Sequence, residues 1–165
     1  AVDEATRLLD AFGEPDEEAF RTAVEEIDER VLGTAREFFG LMRQRGATLR
    51  IVAGDRDNSF GAEAVARAAD RATSTVVRDG KEIVAGQLAG VLPDAHQFEF
   101  RASGEGRTLR GKVDRSLTAE QLSQFNRDYV NVDGRASFNV KRVLRNDVVV
   151  RETYTLTSLE AVEPN

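Results

Sequence analysis

The sequence predicts an α+β fold in which a helical N-terminal part precedes a small five-stranded β-barrel. Two observations carry this. Apolar residues recur every three or four positions in the N-terminal part, and mostly every second position from Thr75 onward. The later segments also follow the order three strands, one helix, two strands, which is the order of an OB-like barrel with its helix between strands three and four; an SH3-like barrel would read similarly. The 165 residues then divide into a helical α/β segment at residues 1–74, with one or two strands, and a barrel at 75–165.

In order along the chain, "VDEATRLLDAF" spaces Val2, Ala5, Leu9 and Phe12 at helical intervals, and Gly13 and Pro15 end that run. Next, Phe20, Val24, Ile27, Val31, Ala35, Phe38 and Met42 recur at spacings of three and four. They predict one stripe of a long helix from near Asp16 to before Gly46, with Gly33 and Gly40 as places where it could divide. Asp16, Glu17 and Glu18 suit its start, and Arg43 and Arg45 its end, because they complement the exposed amides and carbonyls there. "TLRIVAG" reads as a strand and "AEAVARAADRA" as a helix, with Val65, Ala66 and Ala69 inward and enough alanine to pack closely on something flat.

Asp79-Gly80 between "TVVR" and "KEIV" predicts a two-residue hairpin turn. "QFEFRAS" and "TLRGKVD" alternate as strands. Glycines 86, 90 and 111 fall within strands, where a small barrel needs bends and close approaches. "LTAEQLSQFNRDY" is a helix opened by Thr118, with Gln121 at capping-box spacing. Two strands around Asn146-Asp147 close the chain.

Composition narrows the function classes. The chain is 41% hydrophobic and 32% charged, and no apolar run approaches the roughly 20 residues that cross a bilayer, so no membrane partner is expected. The absence of cysteine removes disulfides, thiolate nucleophiles and Cys-ligated zinc, and fits a cytoplasmic location. The net charge of -6 lies entirely in residues 1–80, which is a poor start for nonspecific duplex binding.

Four sites call for weighing. "IVAGDRDNSFG" ends a strand in Asp55 and Asp57, a pair that could hold Mg²⁺ in a phosphohydrolase. Only one strand of that kind precedes it, and Phe60 stands where a calcium loop needs its glycine, so a turn with Asp55, Asn58 and Ser59 capping the next helix is the preferred reading. His96, the only histidine, lacks companions for zinc and is read as a turn residue. Gly104 and Gly106 of "ASGEGR" join two strands rather than a strand and a phosphate-binding helix. Arg101, Arg110 and Lys112 alternate outward on neighbouring strands, with Lys141 and Arg142 near the end of the fourth, forming a candidate ligand or single-stranded nucleic-acid face. Phe98 and Phe100 share the inward phase, leaving Tyr129 as the aromatic available for stacking, so a solvated face with cross-strand ion pairs to Glu99 and Asp114 is the plainer reading.

The pattern "GVLP....FEFR....GKV", at Gly90–Pro93, Phe98–Arg101 and Gly111–Val113, resembles one found in bacterial proteins of similar size. There a small barrel follows a helical segment. The resemblance covers about half of the chain, rests on structural residues and implies the domain layout, with no assigned activity.

The expectation is therefore a nonenzymatic interaction or accessory module without a cofactor or metal, binding a protein partner or itself. Phe38, Phe39 and Met42 in "REFFGLM" are the candidate interface. Single-stranded nucleic-acid binding through the barrel face is the alternative, and a metal-dependent phosphohydrolase the remote third.

Overall fold

The computed structural model describes residues 2–163, with side chains from Ala5 to Glu163; the Val2 side chain lies outside the described residues. The fold is α+β, with N-terminal helices and a C-terminal five-stranded sheet. Two compact units divide the chain. The first comprises residues up to Arg78 together with Arg142–Arg151, and the second comprises Asp79–Lys141 and the chain from Glu152. A single boundary near residue 74 therefore misses the second stretch of the first unit. Among the described residues, no helix is long and apolar enough to cross a membrane.

In the first unit, α1 (Val2–Gly13), α2 (Glu17–Val24), α3 (Glu29–Arg45) and α4 (Ala62–Ser74) accompany a two-stranded hairpin, β1 (Leu49–Ala53) and β2 (Arg56–Phe60). Asp16 caps α2 by accepting the Glu18 N–H at 3.0 Å, and Gly46 ends α3 in the left-handed conformation, so both ends of the predicted long helix are where the sequence places them. Its middle is not. The helix breaks over residues 25–28, away from both glycines, because Asp28 accepts the Val31 N–H at 2.8 Å and begins a new helix. The break re-phases the apolar stripe. Leu32, Ala35, Phe39 and Met42 become the buried face of α3, and Phe38 turns outward.

The core of this unit joins Phe12, Phe20, Phe39 and Phe60, with Phe12 lying 5.1 Å from Phe20 and 5.6 Å from Phe39 between ring centroids. Helix α4 packs against both α1 and α3. Its buried face is Val65, Ala68, Ala69 and Ala72, so the alanines admit neighbouring helices closely rather than a flat sheet.

One buried cation organises this packing. Arg71 of α4, with a side chain only 3% exposed, reaches the end of α1. Its Nη1 donates to the carbonyls of Ala11 (3.2 Å), Phe12 (3.0 Å) and Glu14, while Arg67, one turn earlier, donates to Gly13 at 2.6 Å. The terminal carbonyls of α1, which have no partner within the helix, are thus satisfied by two guanidinium groups. Glu17 balances the charge, accepting from Arg71 Nε (3.3 Å) and from Arg145. Burial lowers the Arg71 pKa, Glu17 opposes that, and the neighbouring Arg145 and Arg67 charges add to the lowering.

The second unit is built on β3 (Thr75–Leu92), β4 (Gln97–Ala102), β5 (Thr108–Val113), β6 (Asp133–Arg145) and β7 (Val148–Ala161), in the sheet order β3-β4-β5-β7-β6. Strands β3, β6 and β7 supply residues to both units. This overturns the hairpin expected at Asp79-Gly80, because β3 is continuous through it. Thr75 and Val77 are buried in the first unit and Leu88 and Val91 in the second, so the strand is pinned at both ends and its polar middle stays extended and exposed.

Neighbours β3 and β4 pair antiparallel with an irregularity between Leu88 and Gly90, β4 and β5 pair antiparallel, and β5 and β7 pair parallel. Gly86 and Gly111 have a direct reason to be glycine. A Cβ at either would overlap the carbonyl oxygen of Arg101 or Tyr154 respectively.

Helix α5 (Ala119–Tyr129) lies in the chain between β5 and β6, and both hydrogen bonds of the Thr118–Gln121 capping box form. The Asn126 amide docks it onto β3, accepting from the Val91 N–H and donating to the Val91 carbonyl, each at 2.8 Å. Phe98, Phe100, Phe138, Leu122 and Leu156 fill the core. Asn146 and Asp147, both at positive φ, make the two-residue turn between β6 and β7.

Replacing Arg71 with Met leaves the Ala11, Phe12 and Glu14 carbonyls unanswered, while the half-exposed Glu17 keeps Arg145, so a loss of about 3 kcal/mol is expected. Arg43→Met breaks only the exposed pair with Asp70 and should cost about 1 kcal/mol or less. Urea unfolding of the two variants checks the contrast; equal losses would show that Arg71 does not organise the unit.

Candidate functional site

The helical unit carries an apolar groove between α1 and α3. It has a volume of about 560 Å³ and is lined by Ala5, Leu8, Leu9 and Phe12 from α1 and by Arg30, Val31, Thr34, Ala35 and Phe38 from α3. It exists because α4 packs against both helices and leaves a trough along their outer side, floored by Phe12 and Ala35. Phe38 stands at its edge, 40% exposed and edge-on to buried Phe39 at 5.1 Å. One turn on, Leu41 is 54% exposed.

The orientation of α3 depends on a clamp formed by Glu29 in its first turn and Arg36 about two turns on. Arg36 donates to Glu29 (2.7 Å), to the Ala72 carbonyl (2.7 Å) and to the Thr75 carbonyl (2.5 Å), while the other Glu29 oxygen accepts the Val77 N–H at 2.8 Å. Burial pushes the Glu29 carboxyl up, but the Arg36 hydrogen bond, the Val77 amide and the Arg36 charge together outweigh it and leave the pKa below the ordinary 4.5.

Of the three interface residues expected from the sequence, only Phe38 faces this groove. Phe39 is fully buried and Met42 nearly so, which corrects their assignment to an exposed face; the break before Asp28 turns them into the core. The groove residues of α1 were not singled out from sequence. Their signal was the helical spacing of Ala5, Leu9 and Phe12, which predicts a helix but not that part of its apolar face lies uncovered.

The sheet unit carries four of the five basic candidates. Gln97, Glu99 and Arg101 on β4 pair with Lys112, Arg110 and Thr108 on β5, so Arg101, Arg110 and Lys112 do share one outward face. Arg110 donates to Glu99 at 2.8 Å and Arg101 to Asn131 at 3.1 Å. The face thus contains the expected cross-strand ion pair to Glu99, whereas Asp114 accepts the Ser116 N–H instead.

Lys141 lines a cleft of about 490 Å³ with Asp79, Gly80, Lys81, Asn139, Val140 and Thr155, and Thr155 is the register partner of Lys112. Arg142 belongs to the first unit, so the five basic candidates do not fall within one unit. Phe98 and Phe100 are buried, and Tyr129 is half-buried against Phe125 at 5.7 Å rather than free for stacking.

Asp57 receives both Nε (2.8 Å) and Nη2 (2.5 Å) of Arg50, its neighbour across the β1–β2 hairpin, and Asp55 lies in the turn of that hairpin. The turn therefore joins two strands rather than a strand and a helix, and Gly61, not Asn58 or Ser59, occupies the α4 cap. His96, at a positive φ, places Nε2 2.8 Å from the Leu117 carbonyl and holds the segment leading into α5.

No family model, curated protein or solved structure matches this chain.

The Glu29 clamp has a pH signature. A carboxyl held below its unfolded value stabilises fully above that value and loses its contribution as pH falls through the lowered one. Stability followed from about pH 6 to about pH 3 should therefore drop more steeply in the wild type than in Glu29→Gln; superimposable profiles would remove Glu29 from the account of how α3 is held.

Proposed function

We propose that this chain is a nonenzymatic interaction module whose helical unit receives an apolar protein surface in the α1–α3 groove. The observation that carries this reading is the groove itself, a trough walled by seven apolar side chains, with Phe38 among them and Leu41 exposed further along α3. An apolar stretch of that kind gains on burial, roughly 25 cal/mol per Å², and a helix laid into a trough is an economical way to cover it. The absence of cysteine suits a cytoplasmic setting.

Phe38→Glu tests the reading, because it places a charge at the groove edge while leaving the buried face of α3 intact. Native mass spectrometry of gently purified protein should give a complex with a partner or a second copy for the wild type, and bare monomer for the variant. Bare monomer for both overturns the proposal.

A second reading concerns the sheet. Its strand order, the parallel β5–β7 pair and the position of α5 support an OB-type barrel, whose second and third strands often bind single strands or peptides. Arg101, Arg110 and Lys112 lie on those two strands, and the chain's three lysines gather here, since Lys81 and Lys141 line the cleft containing Thr155. Binding of oligo-dT followed by fluorescence anisotropy should weaken steeply with added salt and fall at least about tenfold in Arg110→Glu. No binding at low salt removes this reading.

A further inference from the structure

We infer that the occupant of the α1–α3 groove is a second copy of this chain, docked through an antiparallel contact between the two α3 helices; this rests on the interaction reading above. The outward face of α3 is built at heptad spacing. Arg30 and Glu37 are seven residues apart, as are Thr34 and Leu41, and each of these four side chains is exposed. Seven residues are nearly two turns, so each pair points the same way, along the side of α3 that borders the groove.

The charges are self-complementary. Neither Arg30 nor Glu37 forms a side-chain ion pair or hydrogen bond among the described residues, unlike Glu29 and Arg36 on the same helix. Two antiparallel copies of α3 related by a two-fold axis near Gly33 and Thr34 bring Arg30 of each opposite Glu37 of the other, forming the same contact twice. A parallel pairing in register would instead place like charges together.

Glycine supplies an independent sign. Gly33 lies within α3, where glycine is the poorest helix former after proline, and a Cβ there would meet nothing among the described residues. None of the described residues calls for its smallness. At the crossing point of two helices, Gly33 beside Thr34 lets the backbones approach closely. The second helix then covers the groove edge at Phe38 and the neighbouring Leu41, both exposed in the single chain.

Charge exchange tests the contact directly, with sedimentation velocity as the readout and circular dichroism as the check on folding. The wild type should dimerise. Arg30→Glu and Glu37→Arg each turn both symmetry-related attractions into repulsions, and each should weaken the dimer about tenfold or more at low salt. The double variant restores opposite charges and should recover. An equimolar mixture of the two single variants should form a heterodimer as tight as the wild type, since one copy then presents two acids and the other two bases.

A dimer indifferent to the single exchanges, or a mixture that stays monomeric, overturns the α3–α3 contact. A wild-type monomer that co-purifies with a different protein through Phe38 rejects the second copy but leaves the interaction reading in place. A monomer with no such partner rejects both.

Discussion

The helical unit depends on how the C-terminal end of α1 is satisfied. A helix of twelve residues ends in carbonyls that face no amide, and this end lies against α4 rather than water. Arg67 and Arg71, one turn apart on α4, answer four successive carbonyls, and Glu17 at the start of α2 answers the charge so introduced. Phe20 lies under the same guanidinium at 5.1 Å, so polar and apolar parts of the core meet at one side chain. The positions of α1, α2 and α4 are therefore fixed by a single network. The groove lies along the other side of α1, where Phe12 reaches Phe39 of α3.

Helix α3 is held by different means. Its Arg36 and Glu29 bind the backbone at the end of α4 and the start of β3, so it is anchored along one edge while the opposite edge remains available. Side-chain-to-backbone bonds of this kind fix position without apolar cover. That explains how Phe38 and Leu41 can stand in solvent on a helix whose other face is densely packed.

Much of the architecture was legible in the sequence, and the failures have local causes. Caps were readable because they depend on one or two residues: Asp16, Gly46 and Thr118 each act where their chemistry indicates. The break at residues 25–28 was not, since the spacing of Phe20 to Met42 continues through it and only the Asp28 side chain marks it. That single interruption moved Phe39 and Met42 from an expected interface into the core. The strand β2 escaped because "RDNSF" has turn composition, yet pairing with β1 and the Arg50–Asp57 bonds hold it extended. At Asp79-Gly80 a favourable turn sequence yielded to tertiary anchoring at both ends of β3. Alternation did place Arg101, Arg110 and Lys112 on one face, because a strand's period of two leaves little freedom, whereas a groove between two helices is a property of their packing and has no signature in either helix alone.

The division of the chain bears on the order in which it can fold. The first unit takes Val143, Arg145 and Val150 from a stretch that follows nearly the whole second unit in sequence. During synthesis the four helices emerge without the residues that complete their core, and Glu17 waits for its second guanidinium until the last strand pair is being made. Neither unit is a continuous piece of polypeptide, so no cut at a single point separates one whole unit from the other. The helical unit therefore lacks part of its residues until 142–151 have been made.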